Sequence, residues 1–382
     1  MDRIAYFDNA ATTFPKPECV YQAMDEFARS CGVSLGRGQH KLSSKASHIA
    51  DETRELLLSL FHCTNKKVVF TNTATEALNI ILKGIKIPVN ANVYITPFEH
   101  NAVTRTLHYL NKFTSFNIIE LSANKTTYEL QIEDIDRQFK DKKPFCVIAS
   151  HVSNVFGAVC SIEKLFLTSK KYGAINIADL CQSSGLIDLN LSSTIFDYAV
   201  FAGHKTLYGP LGISGFITDF PNDLEPIIIG GTGIESANQD MPSEIPIRYE
   251  AGSHNTTAIA GLHASIEWML KAGVNAIYEQ EMRNHKRLLD ILGSYENITV
   301  YNPKLSVGVV SCSFDNYAPD EIGQVLSNMN IAFRSGLHCA PLAHKFNGTF
   351  PSGTVRFSVG YFNTDEDFDM LDDALSYIEE NS

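Results

Sequence analysis

Tyr198-Ala199-Val200-Phe201-Ala202-Gly203-His204-Lys205 decides how the rest of the chain is read. The apolar run from Tyr198 to Ala202 reads as a buried strand. Thr206-Leu207-Tyr208-Gly209-Pro210 follows and reads as a turn. Lys205 therefore stands at the mouth of a buried strand. Removal from water favours the neutral amine at such a place, and a neutral amine attacks an aldehyde to form a Schiff base. A lysine after a strand commonly just points into water, so the upstream sequence carries the weight. Ala174-Ile175-Asn176-Ile177-Ala178 reads as a second apolar strand, ends in Asp179 and leads to Gln182. An aspartate at one strand end and a lysine at another suit pyridoxal phosphate. The lysine holds the aldehyde, and the carboxylate keeps the pyridine nitrogen protonated so that the ring accepts electrons.

The chain has 382 residues, more than one ordinary core, which predicts two domains. A net charge of -12 argues against a nucleic-acid surface. The opening residues lack the apolar core of a signal peptide. No apolar stretch is long enough to span a bilayer. The expectation is a cytoplasmic protein that meets neither nucleic acid nor membrane. The 8 cysteines are scattered, without a Cys-x-x-Cys pair, which argues against both a disulfide framework and a structural zinc site. Most of them sit in apolar company and read as inert core residues.

Strands and helices alternate along the first two thirds of the chain. The spacing predicts helices over Glu18 to Ser30 and Ser44 to Phe61, from Thr75, from about His100 and from near Ser161. Short strands are expected at Val68 to Phe70, Val93 to Ile95 and Cys146 to Ala149. This order predicts an α/β fold with a mostly parallel sheet covered on both faces. Functional side chains in such sheets gather at the carboxyl ends of the strands. Thr75, His100, Asn154, Asp179 and Lys205 all lie just after predicted strands. The pattern changes after Thr257 into helices at Ala258 to Ala272, Asp320 to Met329 and Glu366 to Ile378, with strands at Val307 to Phe314 and Val355 to Val359. Residues 15–257 are read as the larger domain, and 1–14 with 258–382 as a smaller α+β domain.

Other stretches carry candidate chemistry. Thr71-Asn72-Thr73-Ala74-Thr75-Glu76-Ala77 joins a strand to a helix, where amides and a hydroxyl make an anion site. The plainer reading makes Thr75 only a helix cap. His204 is the expected basic partner for a phosphate there. His100 is placed to stack on a flat ring or to move protons. Asn154 and Gln182 offer amides to a phenolate oxygen. Arg334-Ser335-Gly336-Leu337-His338-Cys339-Ala340-Pro341 reads as a loop in which arginine and histidine favour a cysteine thiolate. Arg356 is placed to capture a carboxylate with two hydrogen bonds. Gly230-Gly231-Thr232-Gly233 lacks the spacing of a dinucleotide loop.

Taken together, these residues resemble the cysteine desulfurase and selenocysteine-lyase-like enzymes of the class V aminotransferase branch of fold-type I pyridoxal-phosphate enzymes. The resemblance runs nearly end to end. Tyr6 to Thr13 is similar to the family's opening motif, and Arg37-Gly38-Gln39-His40 to its Arg-Gly-x-His segment. Thr75-Glu76-Ala77, Glu99-His100-Asn101, His151 to Gly157, Asp179 to Gln182 and Gly203-His204-Lys205 match in order. Arg334 to Cys339 resembles the cysteine loop of the short-loop subgroup.

The resemblance implies a role for each matched residue. Lys205 would be the Schiff-base lysine and proton shuttle, Asp179 the partner of the pyridine nitrogen, and His100 the residue stacked on the ring. Gln182 would bond the phenolic oxygen. Thr75 and His204 would hold phosphate, with Ser253 completing that site in a partner subunit, so a homodimer is implied. Ala11, His40, Asn154, Arg334 and Arg356 would surround the substrate, with Asn154 and Arg356 on its carboxylate. Cys339 would attack the sulfur of L-cysteine, release alanine and keep a persulfide for an acceptor. A selenocysteine lyase, aminotransferase or β-eliminating lyase would share Lys205 and Asp179 without needing Cys339. A non-catalytic binding protein would not keep the whole set. The chain departs from many relatives at Ala202, where they carry a phosphate-binding serine, and at Ser253-His254-Asn255, where they carry Thr-Pro-Asn.

Overall fold

Period-two alternation builds the larger sheet. On the strand Pro144–Ser150 (β5), Val147 and Ala149 face one hydrophobic core while Cys146 and Ile148 face another. A strand buried on both faces needs apolar residues at every position, which is why such strands read as continuous apolar runs. The computed structural model describes residues 3–35, 40–220 and 224–381. Arg37, Gly38 and Gln39 of the Arg-Gly-x-His segment lie outside the described residues.

The chain opens with the short strand Ala5–Tyr6 (β1) and the helices Glu18–Ser30 (α1) and Lys41–Leu60 (α2). Then follow Lys67–Thr71 (β2), Ala74–Gly84 (α3), Asn92–Ile95 (β3), Asn101–Leu110 (α4), Asn117–Glu120 (β4) and Ile132–Asp141 (α5). Beyond β5 come Ile162–Lys170 (α6), Ile175–Asp179 (β6), Tyr198–Ala202 (β7) and Ser214–Thr218 (β8). These strands form one seven-stranded sheet in the order β2-β8-β7-β6-β5-β3-β4. Neighbours from β7 to β4 run parallel, and β8 alone runs against the rest. The expected mostly parallel sheet with helices on both faces is what forms.

Strand β8 has no counterpart in the sequence reading, and Gly215 explains why. Glycine weakens a strand signal, yet a Cβ at 215 would lie 2.3 Å from the Val69 carbonyl oxygen and 2.8 Å from the Phe201 ring. The antiparallel insertion between β2 and β7 therefore requires the residue that hides it.

The remainder comprises Thr256–Ala272 (α7), Val274–Leu292 (α8), Ile298–Tyr301 (β9), Val309–Phe314 (β10), Pro319–Asn328 (α9), Ile331–Ala332 (β11), Arg334–Gly336 (β12), Pro341–Asn347 (α10), Thr354–Ser358 (β13) and Asp365–Glu380 (α11). A four-stranded antiparallel sheet, β12-β13-β10-β9, packs with α8, α9 and α11 around its own core. Phe357, fully buried there, is a side chain of the kind that stabilises a fold by roughly 1.5–3 kcal/mol. Ala5 and Phe7 join this core, and β1 pairs with β11. Helix α7, in contrast, packs Ala258, Ile259, Leu262, Ile266 and Met269 into the core of the large sheet. We therefore place α7 with the larger unit, one helix beyond the boundary expected at 257. Among the described residues no helix is long and apolar enough to cross a membrane.

Candidate active site

Five strand ends converge on a cavity of about 260 Å³ at the carboxyl edge of the large sheet. Asp179 closes β6, and Ser150 closes β5 beside it in register. Lys205 follows β7 by three residues, and its amide donates to the Ala202 carbonyl at 3.5 Å. His100 follows β3, and α3 begins just after β2. Thr75, His100, Asn154 and Asp179 line this cavity. Gln182, His204 and Lys205 line it too. These are the residues that the sequence placed after strands, together with their neighbours.

The helix cap is Thr73 rather than Thr75. Its hydroxyl accepts from the Glu76 amide at 3.1 Å. The first amides of a helix have no carbonyl partner within it, so the start of α3 faces the cavity as an anion site. Thr75 is exposed and leaves its hydroxyl available on the cavity wall.

His100 caps α4, and its Nδ1 accepts from the Ala102 amide at 3.0 Å. Nδ1 therefore carries no proton, and the neutral ring keeps its proton on Nε2. Burial, reinforced by the Lys205 charge, pushes this imidazole down to about 4. His204 behaves likewise: burial, then Lys205 and Lys16, push it down to about 4. Burial and the two lysine charges thus work against a charge on His204 before any anion is bound.

Unsatisfied groups cluster around the lysine loop. His204 Nδ1, Thr206 Oγ1 and Ser214 Oγ are buried without a hydrogen-bond partner. Ser214 lies directly opposite Ala202 across the β7–β8 pair. Leaving a buried polar group unpaired costs roughly 1–3 kcal/mol, so such a concentration fits a site awaiting a polar ligand. With the amides of α3 at the same end and Asp179 and Lys205 beyond, the residues fit pyridoxal phosphate.

The opening motif clasps this site. Gln182 Nε2 donates to the Ala10 carbonyl at 2.8 Å, which occupies the amide expected to face the cofactor oxygen. Arg356 is fully buried on β13. Its Nη2 donates to Asp8 Oδ1 at 2.7 Å and its Nη1 to the Asn154 carbonyl at 2.9 Å, while Nε is buried without a partner. Losing one member of such a buried pair costs about 3–5 kcal/mol.

Cys339 sits over the cavity rather than in it. It is the exposed cysteine of the eight; six are buried and Cys19 is intermediate. The expected loop holds one short strand, β12, whose Arg334 pairs in register with Arg356. Both His338 and Cys339 adopt left-handed backbone, with φ of 47° and 58°, a conformation that non-glycine residues seldom hold without support. Support comes from three sides. Asn101 donates its amide to the Cys339 carbonyl at 2.6 Å, Asn154 Nδ2 donates to the His338 carbonyl at 2.7 Å, and His338 Nε2 lies 3.1 Å from both Thr354 oxygens. His338 is thus not the activating neighbour that the sequence suggested. Burial holds its ring well below the usual histidine range, and it faces Thr354. Arg356 remains as a cation whose charge reaches the thiol.

Two expected residues lie elsewhere. His40 is exposed and caps α2, accepting from the Ser43 amide at 3.2 Å. Ser253 lines a separate cavity of about 270 Å³ with Arg54 and Glu250, not the one that Lys205 lines. The sequence reading missed Glu99, whose buried carboxylate accepts from Thr96 Oγ1, the Ser150 amide and Ser150 Oγ at 2.6–2.9 Å. It ties the His100 turn to the strand beside Asp179. Its position next to His100 was the available signal.

A lysine and a carboxylate at the strand ends of a parallel sheet, with a helix start lining the same cavity, define a pyridoxal-phosphate enzyme. The chain belongs to the class-V aminotransferase family, whose model matches residues 5–371, and pyridoxal phosphate is its cofactor. It is similar to a probable cysteine desulfurase of Pyrococcus abyssi, 31% identical over 96% of this chain and 92% of the relative. A probable cysteine desulfurase of Methanothermobacter thermautotrophicus is 29% identical over 98% and 94% of the two chains. The apo structure of a cysteine desulfurase from Thermococcus onnurineus superposes with a TM-score of 0.91 at 29% identity, covering 99% of this chain and 95% of the other.

Proposed function

We propose that this chain is a cysteine desulfurase that converts L-cysteine to L-alanine and leaves a persulfide on Cys339. The observation that carries the reading is the placement of the exposed cysteine. Its loop is bonded directly to Asn101, next to His100, and to Asn154 on the cavity wall. Six of the other seven cysteines are buried, and burial raises the thiols of Cys146, Cys160, Cys181 and Cys312 far above the ordinary value. The similarity to cysteine desulfurases over nearly the whole chain supports the same reading.

Lys205 Nζ would hold the cofactor aldehyde and would take up the proton from the substrate Cα. Asp179 would keep the pyridine nitrogen protonated, and the cofactor, when bound, would supply an electron sink for the charge left on Cα. His100, neutral, would lie against the ring. The α3 amides, Thr75 and His204 would hold phosphate. Arg356, supported by Asp8 and Asn154, would receive the substrate carboxylate, with Arg334 in register beside it. The Cys339 sulfur attacks the substrate sulfur. The substrate's C–S bond breaks, an S–S bond forms, and the carbon that loses sulfur gains a proton to become the alanine methyl. Thiol plus cysteine thus becomes persulfide plus alanine, and an acceptor then takes the outer sulfur. Incubation with L-cysteine should yield alanine and protein persulfide in equal amounts in a single turnover. Alanine without persulfide would instead indicate a lyase.

A homodimer follows from the same reading. Ser253 does not line the cavity that holds Lys205 but a separate one, where Arg54 holds its segment by bonding Glu250 at 2.8 Å. A hydroxyl presented this way suits a partner's phosphate site. Sedimentation should show a dimer, and Ser253→Ala should weaken cofactor binding without dissociating it. A fully active monomer would exclude the arrangement.

A further inference from the structure

Burial works against a charge on His204, the cation expected at the phosphate end of the cavity. The structure supplies another. Lys16 lies in the opening segment and reaches beneath the lysine loop. Its Nζ donates to the His204 carbonyl at 2.7 Å and to Thr13 Oγ1 at 2.6 Å. The same segment adds three more donors. The Thr13 amide and Thr12 Oγ1 reach the His204 carbonyl at 3.1 and 2.9 Å, and Thr13 Oγ1 reaches the Lys205 carbonyl at 3.1 Å. The backbone that carries His204 and Lys205 is thereby fastened from below by residues 12–16.

Lys16 is unusual among the lysines withdrawn from water. Lys66 and Lys170 face Asp219 and Asp197. Lys16 has no carboxylate partner among the described residues, only neutral oxygens. A cation removed from water without a counter-charge is costly. Desolvation accordingly pulls this ammonium down to about 7. Its charge acts on the His204 ring, whose unpartnered Nδ1 belongs to the group of orphaned atoms around the loop. A dianion on the other side of His204 would provide the counter-charge that the protein withholds.

We propose that Lys16 is a positioning residue for the cofactor phosphate, fastening the His204–Lys205 backbone from beneath and supplying the positive field that His204 does not. This inference rests on the placement of phosphate between α3 and His204. A charge there would also offset the hydroxyl contact that Ala202 lacks.

The test compares pyridoxal phosphate with pyridoxal, which lacks the phosphate, by equilibrium titration of the apo-protein. Lys16→Met keeps the aliphatic stem. Lys16→Gln keeps a donor for the His204 carbonyl, removes the charge, and carries the test if the methionine variant does not fold. Both should weaken pyridoxal phosphate binding by about tenfold or more and leave pyridoxal binding within about twofold. Lys16→Arg should restore most of the difference. Equal losses for the two ligands would reduce Lys16 to a structural clamp and overturn the proposal, as would Lys16→Gln with full affinity for pyridoxal phosphate. A wild-type protein that binds both ligands equally would refute the phosphate placement itself. Wild-type discrimination that survives in Lys16→Gln would refute only the role of Lys16.

Discussion

Lys205→Ala should yield a folded protein to which pyridoxal phosphate can no longer be attached by borohydride. The side chain stands on the loop after β7, at the cavity edge, so its removal creates no core void. The backbone bonds from Thr12, Thr13 and Lys16 to residues 204 and 205 use carbonyls and survive the substitution. Two functions are lost together, the anchoring of the aldehyde and the transfer of the Cα proton. Proton transfer by a positioned side chain is worth about a hundredfold to ten-thousandfold, so turnover of L-cysteine should fall by about a thousandfold or more. Peptide mass spectrometry of the reduced wild-type protein should place the adduct on Lys205. An adduct on Lys16 or any other lysine would refute the assignment, and with it the pairing with Asp179.

Cys339→Ser should bind cofactor and substrate normally and fail to release sulfur. The left-handed loop is supported through the carbonyls of His338 and Cys339 and the His338 ring, none of which the substitution touches. A hydroxyl is a far poorer nucleophile toward sulfur than a thiolate, so alanine formation from L-cysteine should drop by at least about a hundredfold. Selenocysteine should still be processed, because selenium leaves more readily without a thiolate. In the wild-type protein, alkylation should label Cys339 first, since the other seven thiols are withdrawn from water to differing degrees. Alanine release from L-cysteine at the wild-type rate would end the desulfurase reading in favour of a lyase or aminotransferase.

The parallel sheet was legible because each buried strand is a short apolar run and the polar residues just beyond it lie at the cavity edge. Asp179, Lys205, His100 and Asn154 were found in this way, without any knowledge of spacing in three dimensions. Strand β8 was not legible, since Gly215 removes the signal that its packing demands. Strand β12 was read as loop because three residues, one of them Gly336, carry no periodicity. The plainer alternative for Thr75, a helix cap, falls to Thr73 instead, as both hydroxyls stand within two residues of the helix start. Lys16, flanked by Pro15 and Pro17, reads as a surface residue. Nothing local indicates that its ammonium reaches a carbonyl 188 positions away.

The sequence by itself determined the sheet, the cofactor chemistry at its edge and the identity of the reactive cysteine as a candidate. Those depend on residue type and on local order, which the chain states directly. Only the tertiary structure decided the charges. Whether a histidine is a cation or a neutral donor depends on how much water the surrounding elements exclude and which charges they bring near. Packing from several separate segments made His100, His204 and His338 neutral, left Lys16 without a carboxylate, paired Arg356 with Asp8, and kept Cys339 exposed.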